Sequence, residues 1–555
     1  MFVLDAYAAR SCPVKTHNAF HPGVQLPAAD ESLREGFHGG TAFKADVLAR
    51  ILADAPGTVV DCRPLLGGPS GAQEEAWREA VAAGADLIVC GLLPRDWVGH
   101  RSGRPDLLVK APDGGYQPVH VKFHRVLDTR ANAELDVSRL ADPAARERLA
   151  GQRFRWSWRL NDVLQLAHYR RMLEGLGVAS ADPWAAIIGT DEVDGGWVLS
   201  WVRLDQPLLS PNPRMVSDAQ ETPLISALER YDHEFGFREQ LAETAAACAP
   251  DDPPVLRPIV NRECAYCQWW DSCRPQLHED DLSLRINKSP LDAHEIAVLR
   301  ELGVETVAEL ATAEIEQLLT DYLPRVTHRG GAEDRLRLAW RRSVLMARGI
   351  DFDRVTTGPI LLPDAPLELD IDVETSMDDR VYLWGFLISG GPGALPDYRS
   401  FAAFRDLDDQ AEWALARDAM AWLREQVAAA PALVFHYSDY EIVRLNRLAA
   451  ASGDPTIQWG ADYAREHFVD LFAPIREHFF GTQGLGLKVV ANRAAGFSWR
   501  DEAPGGLNSQ AWFTEAVHGE TADARARAQQ RVLEYNEDDV RATWHVRRWL
   551  RGLGE

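Results

Sequence analysis

Three sets of residues in this chain have the types and spacing that chemistry needs. The first is a cysteine triplet, Cys264, Cys267 and Cys273 in the run CAYCQWWDSC, with Cys12 far upstream in ARSCPV. The start of the chain lacks the charged and apolar regions of a secretory signal, so a disulfide framework is not expected and the thiolates point to zinc or an iron–sulfur cluster. Zinc ligands usually come as two short pairs close together, whereas one distant cysteine plus a tight triplet suits a cubane closed where remote segments meet. A partial zinc knuckle beside an ordinary buried Cys12 is the competing reading. Cys62, Cys90 and Cys248 read as structural, Cys90 ending the apolar run ADLIVC.

The second set is acidic. In LELDIDVETS, Asp372 and Glu374 are two apart and share one face of a strand, with Asp370 a step earlier on that face. FHYSDYEIVRL offers Asp439 and Glu441 at a strand-to-helix corner after His436, FVDLF offers Asp470, and EYNEDDVRATWHVRRWL places Tyr535 and Asp539 on one helix face. Carboxylates from separate elements can hold two Mg²⁺ or Mn²⁺ ions about 3.5–4 Å apart, which activates a water and stabilises a leaving oxygen. In a chain with 83 Asp and Glu, any single pair reads equally well as solvated acids.

The third set lies in GRPDLLVKAPDGGYQPVHVKFHR. It reads as strand, tight turn at Asp113-Gly114-Gly115, and strand, so that Asp106 and Lys122 can face one site. A carboxylate that holds Mg²⁺ beside a lysine that orients the attacking hydroxide is what phosphodiester cleavage uses. Downstream, NDVLQLAHYRRML presents Gln165 and Tyr169 four apart, on one helix face.

Positioning these groups takes several domains. A chain of 555 residues holds about two to four of them, and 46% hydrophobic content with 18 Trp supplies their cores. Residues 1–285 alternate helical and strand patterns and finish at the cysteine triplet, after the extended approach APDDPPVLRPIV. Residues 286–350 read as a helical linker, with SPLDAHEIAVLRELGVETVAELATA forming a helix-hairpin-helix-like element around the turn LGVET. Residues 351–555 read as an α/β domain that opens with PLELDIDVET and RVYLWGFLISG. No run is apolar enough to span a membrane, and a cytoplasmic address with no membrane partner is expected. The net charge of −24 excludes a general nucleic-acid coat, leaving local patches. GQRFRWSWRL at 151–160 and EDRLRLAWRRS at 333–343 interleave Arg with Trp as a strand-binding groove would, and read equally well as solvated helix faces.

Taken in order, Asp106, the x-x-Lys ending at Lys122, the Gln165-x-x-x-Tyr169 pair and the four cysteines resemble a RecB-family nuclease of the PD-(D/E)XK superfamily. The resemblance implies a restriction-endonuclease-like domain stapled by a [4Fe–4S] cluster on Cys12, Cys264, Cys267 and Cys273, similar to that of AddB-type subunits and CRISPR-associated RecB-like exonucleases. This chain departs from the pattern twice. His120 stands where the family has an acidic metal ligand two before the lysine, and Lys44 in GGTAFKADVL stands where an acidic or histidine residue is expected. Imidazole is a poor match to hard Mg²⁺.

The C-terminal motifs resemble the RNase H-like DEDD exonucleases. Asp372 and Glu374 match the first motif, Glu441 stands where that group has Asp, Asp539 closes the metal set, and Tyr535 is placed to position the water; LGLKVVANRAAGF is similar to the same group. Together the halves resemble a bacterial family of RecB-like nucleases with a C-terminal RNase H-like domain. The implied fold is a multidomain α/β chain of PD-(D/E)XK domain, helical hairpin linker and RNase H-like domain. The implied function is metal-dependent cleavage of DNA, single-stranded or 3′-ended, in repair or processing. No G-x-x-x-x-G-K-[ST] run is present, so unwinding needs a helicase or repair partner. The alternatives are a non-catalytic nucleic-acid-binding or complex-organising protein and an exonuclease that trims RNA.

Overall fold

The computed structural model describes residues 2–25, 38–156, 159–215, 223–286, 291–328, 330–377, 379–389, 396–502 and 504–553. Ser157 and Trp158 of the first Arg/Trp run lie outside these. The chain divides into two compact units. Met1–Arg285, Pro290–Glu309 and Ala313–Leu338 form the first, and Ile286–Ser289, Leu310–Thr312 and Ala339–Glu555 the second. The segment read as a linker is helical, with Ala293–Glu301 and Val307–Thr312 flanking a turn at Gly303, and most of it counts with the first unit.

In the first unit, β1 (Val59–Asp61), β2 (Leu87–Val89), β3 (Leu107–Lys110), β4 (Tyr116–Val121), β5 (Leu127–Arg139), β6 (Asp142–Phe154), β7 (Trp184–Val193) and β8 (Gly196–Arg203) build one sheet in the order β1-β2-β3-β4-β7-β8-β5-β6. The β3–β4 hairpin turns where Gly114 takes φ +86°, a conformation glycine adopts without strain. Beyond it β4 pairs parallel with β7. Helix α1 is Pro13–Phe20, α2 His38–Asp54, α3 Leu160–Gly175 and α4 Ala227–Ala246. Strand side chains alternate faces, so Leu107, Val109, Val119 and Val121 pack against Phe43, Val47, Leu48 and Ile51 of α2, while Leu108 and Tyr116 pack with Tyr169, Met172 and Leu173 of α3.

In the second unit, β9 (Phe352–Arg354) and β15 (Phe479–Gly481) form a two-stranded ribbon, and β10 (Leu367–Thr375), β11 (Val381–Ser389), β12 (Asp397–Ala402), β13 (Ala432–His436) and β14 (Phe468–Asp470) a five-stranded sheet ordered β12-β11-β10-β13-β14. The first three strands are antiparallel and the last three parallel, with β10 at the centre. Helices of this unit include α5 (Asp409–Val427), α6 (Tyr440–Ser452), α7 (Pro455–His467), α8 (Leu487–Arg493), α9 (Gly506–His518) and α10 (Ala522–Gly552).

The period of two in β10 organises this unit. Leu369, Ile371 and Val373 point into an apolar core with Met420 and Leu423 of α5, Leu445 of α6 and Ile457 of α7. The intervening Asp370, Asp372 and Glu374 take the opposite face, toward α9 and α10. Asp370, a step along the face read as inviting a metal pair, has a structural use. Arg547 of α10 donates to it through Nε (3.1 Å) and Nη2 (2.6 Å) and also pairs with Glu368, which Arg551 grips at 2.5 Å.

The Arg/Trp run at 333–343 is a solvated and packed helix face. Arg335 pairs with buried Glu295, Arg337 with Glu316 and Glu333, and Arg341 with Asp353. Among the described residues no helix is long and apolar enough to cross a membrane.

Candidate metal centre

Asp372 and Glu374 leave β10 next to Asp539, which α10 presents four residues after Tyr535. Asp372, Glu374 and Asp539 each offer a carboxylate oxygen, and the three oxygens lie within 4.8 Å of one another. They are the one such group of three metal-ligating side chains among the described residues. Each is held by neutral donors. Asn536 Nδ2 donates to Asp372 Oδ2 (2.7 Å), Ser509 Oγ of α9 to Glu374 Oε2 (2.8 Å), and Trp499 Nε1 to Asp539 Oδ1 (2.6 Å). Among the described residues one cation reaches the group: Lys488 Nζ of α8 donates to Tyr535 Oη at 2.8 Å and to the Asp539 oxygens at 3.1 and 3.3 Å.

Asn536 approaches so closely because Gly385 of β11 lies opposite Asp372 in register. A Cβ there would stand 1.8 Å from Asn536 Oδ1.

Burial and mutual repulsion set the protonation of this group. Loss of water, then the charges of Asp539, Glu374 and Glu441, push the Asp372 carboxyl well above its usual range. Loss of water and Asp539 push Glu374 up to about 8, against the bond from Ser509 and the charge of Lys488. Glu441, in the first turn of α6, is also raised by burial, opposed by His436. It stands outside the tight trio; its Oε2 is 3.6 Å from His436 Nδ1 and has no hydrogen-bond partner among the described residues. The His436 imidazole is raised because Glu441 and Asp470 outweigh the opposing effect of burial. Tyr535 is driven far above the phenol range by burial and the surrounding carboxylates, so its proton stays on the oxygen.

These carboxylates fit a hard divalent cation: oxygen donors, buried at Glu374 and Asp539 and half-buried at Asp372, repelling one another, with Lys488 the one cation bonded to them among the described residues. Lys488, Trp499, Asn536 and Ser509 are site residues that no motif in the sequence marks by type and spacing. The signals the sequence does carry are the LGLKVVANRAAGF run around Lys488 and Gly385 inside the strand YLWGFLI, where an interior glycine marks close approach.

The first unit's centre has the opposite electrostatics. Asp106 precedes β3, His120 lies near the end of β4 and Lys122 directly follows it, and Gln165 and Tyr169 share a face of α3, so the fold brings these five residues together. The buried Asp106 carboxylate is taken on all sides: it accepts from the Val121 N–H (2.8 Å) and pairs with His120 Nδ1 and Lys44 Nζ. Although burial opposes ionisation, His120 and Lys44 hold Asp106 well below the usual carboxylate range. Lys122 Nζ donates to Gln165 Oε1 (2.9 Å) and pairs with Asp162 Oδ1 (3.2 Å), and Gln165 Nε2 donates to Tyr169 Oη (2.9 Å). Burial resists ionisation of Asp162, but His124 and Lys122 bring it down to about 2. A Mg²⁺ ion there would have to displace an ammonium already in place, so these residues do not fit that ion. His120, a candidate metal ligand by sequence, uses Nδ1 on Asp106.

Cys12, Cys264, Cys267 and Cys273 all line one pocket, walled by Val14, Trp269, Trp270 and Leu277. Glu263 Oε2 joins the two segments, accepting from the Cys12 N–H (3.3 Å) and Lys15 Nζ (2.7 Å). The Asn261 N–H points to Cys264 Sγ (3.4 Å) and Asn18 Nδ2 to Cys273 Sγ (3.7 Å), donors that suit thiolates. Burial raises the Cys12 and Cys264 thiols and pushes Cys273 up to about 11, so a metal must displace protons to bind. No three of these sulfurs lie within 4.8 Å of one another.

Residues 369–551 match the RNase_H_2 family of the RNase H superfamily. This C-terminal stretch is an RNase H-like domain, and with its carboxylate cluster it suggests metal-dependent nuclease activity. No curated protein and no solved structure matches the chain.

Proposed function

We propose that the protein is a metal-dependent nuclease whose chemistry resides in the RNase H-like domain, acting on DNA with single-stranded or 3′-ended substrates favoured. The observation that carries this reading is the trio of Asp372, Glu374 and Asp539, half-buried at Asp372 and buried at the other two, close together on two elements and left largely unneutralised. Those three, with Glu441 beside them, would hold Mg²⁺ or Mn²⁺. Bound there, the metal would supply an activated water and charge stabilisation for the leaving oxygen. The chain's own groups do the positioning. Ser509, Asn536 and Trp499 fix the carboxylate oxygens, and Tyr535, kept protonated, offers a hydroxyl to orient a water or a phosphate oxygen. Lys488, bridging Tyr535 and Asp539, adds the positive charge that an anionic phosphodiester needs.

The RecB-like first unit serves this reading as a binding scaffold. Asp106 and Lys122 flank its β3–β4 hairpin, and Lys44 and His120 pair with the Asp106 carboxylate that the resemblance would give to a metal. Its four cysteines are assigned to a [4Fe–4S] cluster. A role in DNA repair or processing, with a partner that unwinds, follows from the resemblance.

The test is degradation of end-labelled single-stranded DNA and matched RNA in Mg²⁺ and Mn²⁺ by wild type, Asp372→Ala and Lys122→Ala. Loss in Asp372→Ala alone is the expected result. Loss in Lys122→Ala alone would move the chemistry to the first unit, and an inactive wild type would favour the non-catalytic binding protein.

A further inference from the structure

We infer that the first unit carries a binding groove for single-stranded nucleic acid where β5 parts from β8. The two strands pair only from Asp136↔Trp201 to Arg139↔Val198. Past Asp136, β5 runs on with β6 alone to Leu127, while β8 continues beside β7 to Arg203. The parting opens a cavity of about 870 Å³ lined from both strands.

Its lining is rich in arginine. Arg148, Arg153, Arg155, Arg203 and Arg230 border it, with the carboxylates Asp128, Glu134 and Asp136. Arg203 is engaged by Asp205 at 2.8 Å and Asp182 at 3.3 Å, and Arg230 by Glu234 at 3.4 Å. The pairing of the two most exposed arginines is of the weak kind. Arg148 reaches Asp136 at 3.2 Å and Glu134 at 3.7 Å with 67% of its side chain exposed, and Arg153 reaches Asp128 at 3.2 Å with 49% exposed. Exposed ion pairs contribute about 0–1 kcal/mol, so phosphates can compete for these guanidinium groups, which suit bidentate phosphate contacts.

Indole rings line the same groove. Trp156 and Trp184 are half-buried at its border, and Trp201 forms its floor, fixed by Nε1 donating to Ser138 Oγ at 2.8 Å. Arg146 lies over the Trp184 and Trp201 rings at 4.6 and 5.2 Å, with a buried Nη1 that has no hydrogen-bond partner among the described residues. Guanidinium groups for the backbone beside ring faces for bases are the two elements that single-strand binders combine. A duplex, whose bases are stacked inside, cannot use the rings.

The inference rests on the nuclease reading for its substrate class, and the experiment separates the two. Full-length protein in EDTA, where no metal-dependent cleavage occurs, is titrated into fluorescein-labelled single-stranded DNA, matched RNA and duplex, read by anisotropy over a salt series. Single strands should bind more tightly than duplex. Arg148→Ala/Arg153→Ala should weaken single-strand binding at least tenfold and reduce the salt slope by about 1.4, at about 0.7 per lost phosphate contact. Trp156→Ala should weaken it with the slope unchanged. The DNA and RNA arms identify which strand the groove takes. Unchanged affinity in the arginine variant, or no binding by wild type, would overturn the groove even where Mg²⁺-dependent cleavage persists. If binding falls as expected but no variant or wild type cleaves, the groove stands and the nuclease reading fails.

Discussion

Replacing Glu374 by Gln tests the electrostatics on which the metal centre rests. The Glu374 carboxyl moves from 4.5 to about 8 in the folded protein, because it is buried beside Asp539 and Asp372. A carboxyl raised in this way stays protonated in the native state while the unfolded chain ionises. Stability therefore falls as pH rises from about 4.5 and levels off above about 8. The raised value corresponds to about 3–5 kcal/mol lost across that window in metal-free protein. Glutamine keeps an oxygen for the Ser509 hydroxyl, 2.8 Å away, and removes the ionisation. In EDTA the variant should match wild type near pH 5 and exceed it near pH 8.5, by a melting-temperature shift on the order of 10 °C for a unit of this size. Adding Mg²⁺ at about 100 times its Kd should return about 2.7 kcal/mol to wild type and little to the variant, which should also lose cleavage. Thermal melts followed by circular dichroism across pH, with and without Mg²⁺, measure all of this. A melting difference that is constant with pH, or a variant that still cleaves with Mg²⁺, would refute the reasoning.

Four further outcomes follow from the same structure. Arg547→Ala strips Asp370 and Glu368 of a buried partner and should cost about 3–5 kcal/mol; denaturant unfolding of near-wild-type stability would contradict the pairing. Gly385→Ala should cost about 1–3 kcal/mol and lower cleavage by displacing Asn536 from Asp372, both read on the purified variant. Lys122→Ala should leave Mg²⁺-dependent cleavage within about twofold of wild type, a difference under about 0.5 kcal/mol, since Asp106 is already neutralised by Lys44 and His120. Anaerobically purified protein should show the visible absorbance of an iron–sulfur chromophore, bleached in Cys267→Ser; colourless protein with stoichiometric zinc would overturn that assignment.

What the sequence made legible was local periodicity. The acidic face of β10, the turn at Gly114 and the shared face of Gln165 and Tyr169 follow from periods of 2 and 3.6 and from glycine's freedom at positive φ. What stayed hidden was which charge meets which across long separations. Asp370 and Asp372 are equivalent by pattern, yet Arg547, 177 residues away, claims the first, and Asn536, an uncharged donor 164 residues away, holds the second. The same gap explains the two Arg/Trp runs, alike as strings. The later one meets Glu295, Glu316, Glu333 and Asp353 and closes into ion pairs, while the earlier one meets Asp128 through Arg153 and Arg155 and borders a cleft set by where β5 leaves β8.

The two carboxylate centres show why residue type alone does not identify a metal site. Asp106 and Asp162 are pulled down by lysine and histidine partners that arrive with the fold, so each already has the cation it needs. Asp372 and Glu374 are pushed up because the fold supplies neutral donors and further carboxylates. A group held below its ordinary pKa gains little from a metal that must first evict an ammonium. One held above it gains the most, because the metal relieves the repulsion that raised it. The opposite directions of these shifts therefore argue for metal chemistry in the second unit and against it in the first. Lys44 is the residue on which that difference turns, because its ammonium stands against the Asp106 carboxylate where a cation would otherwise be required.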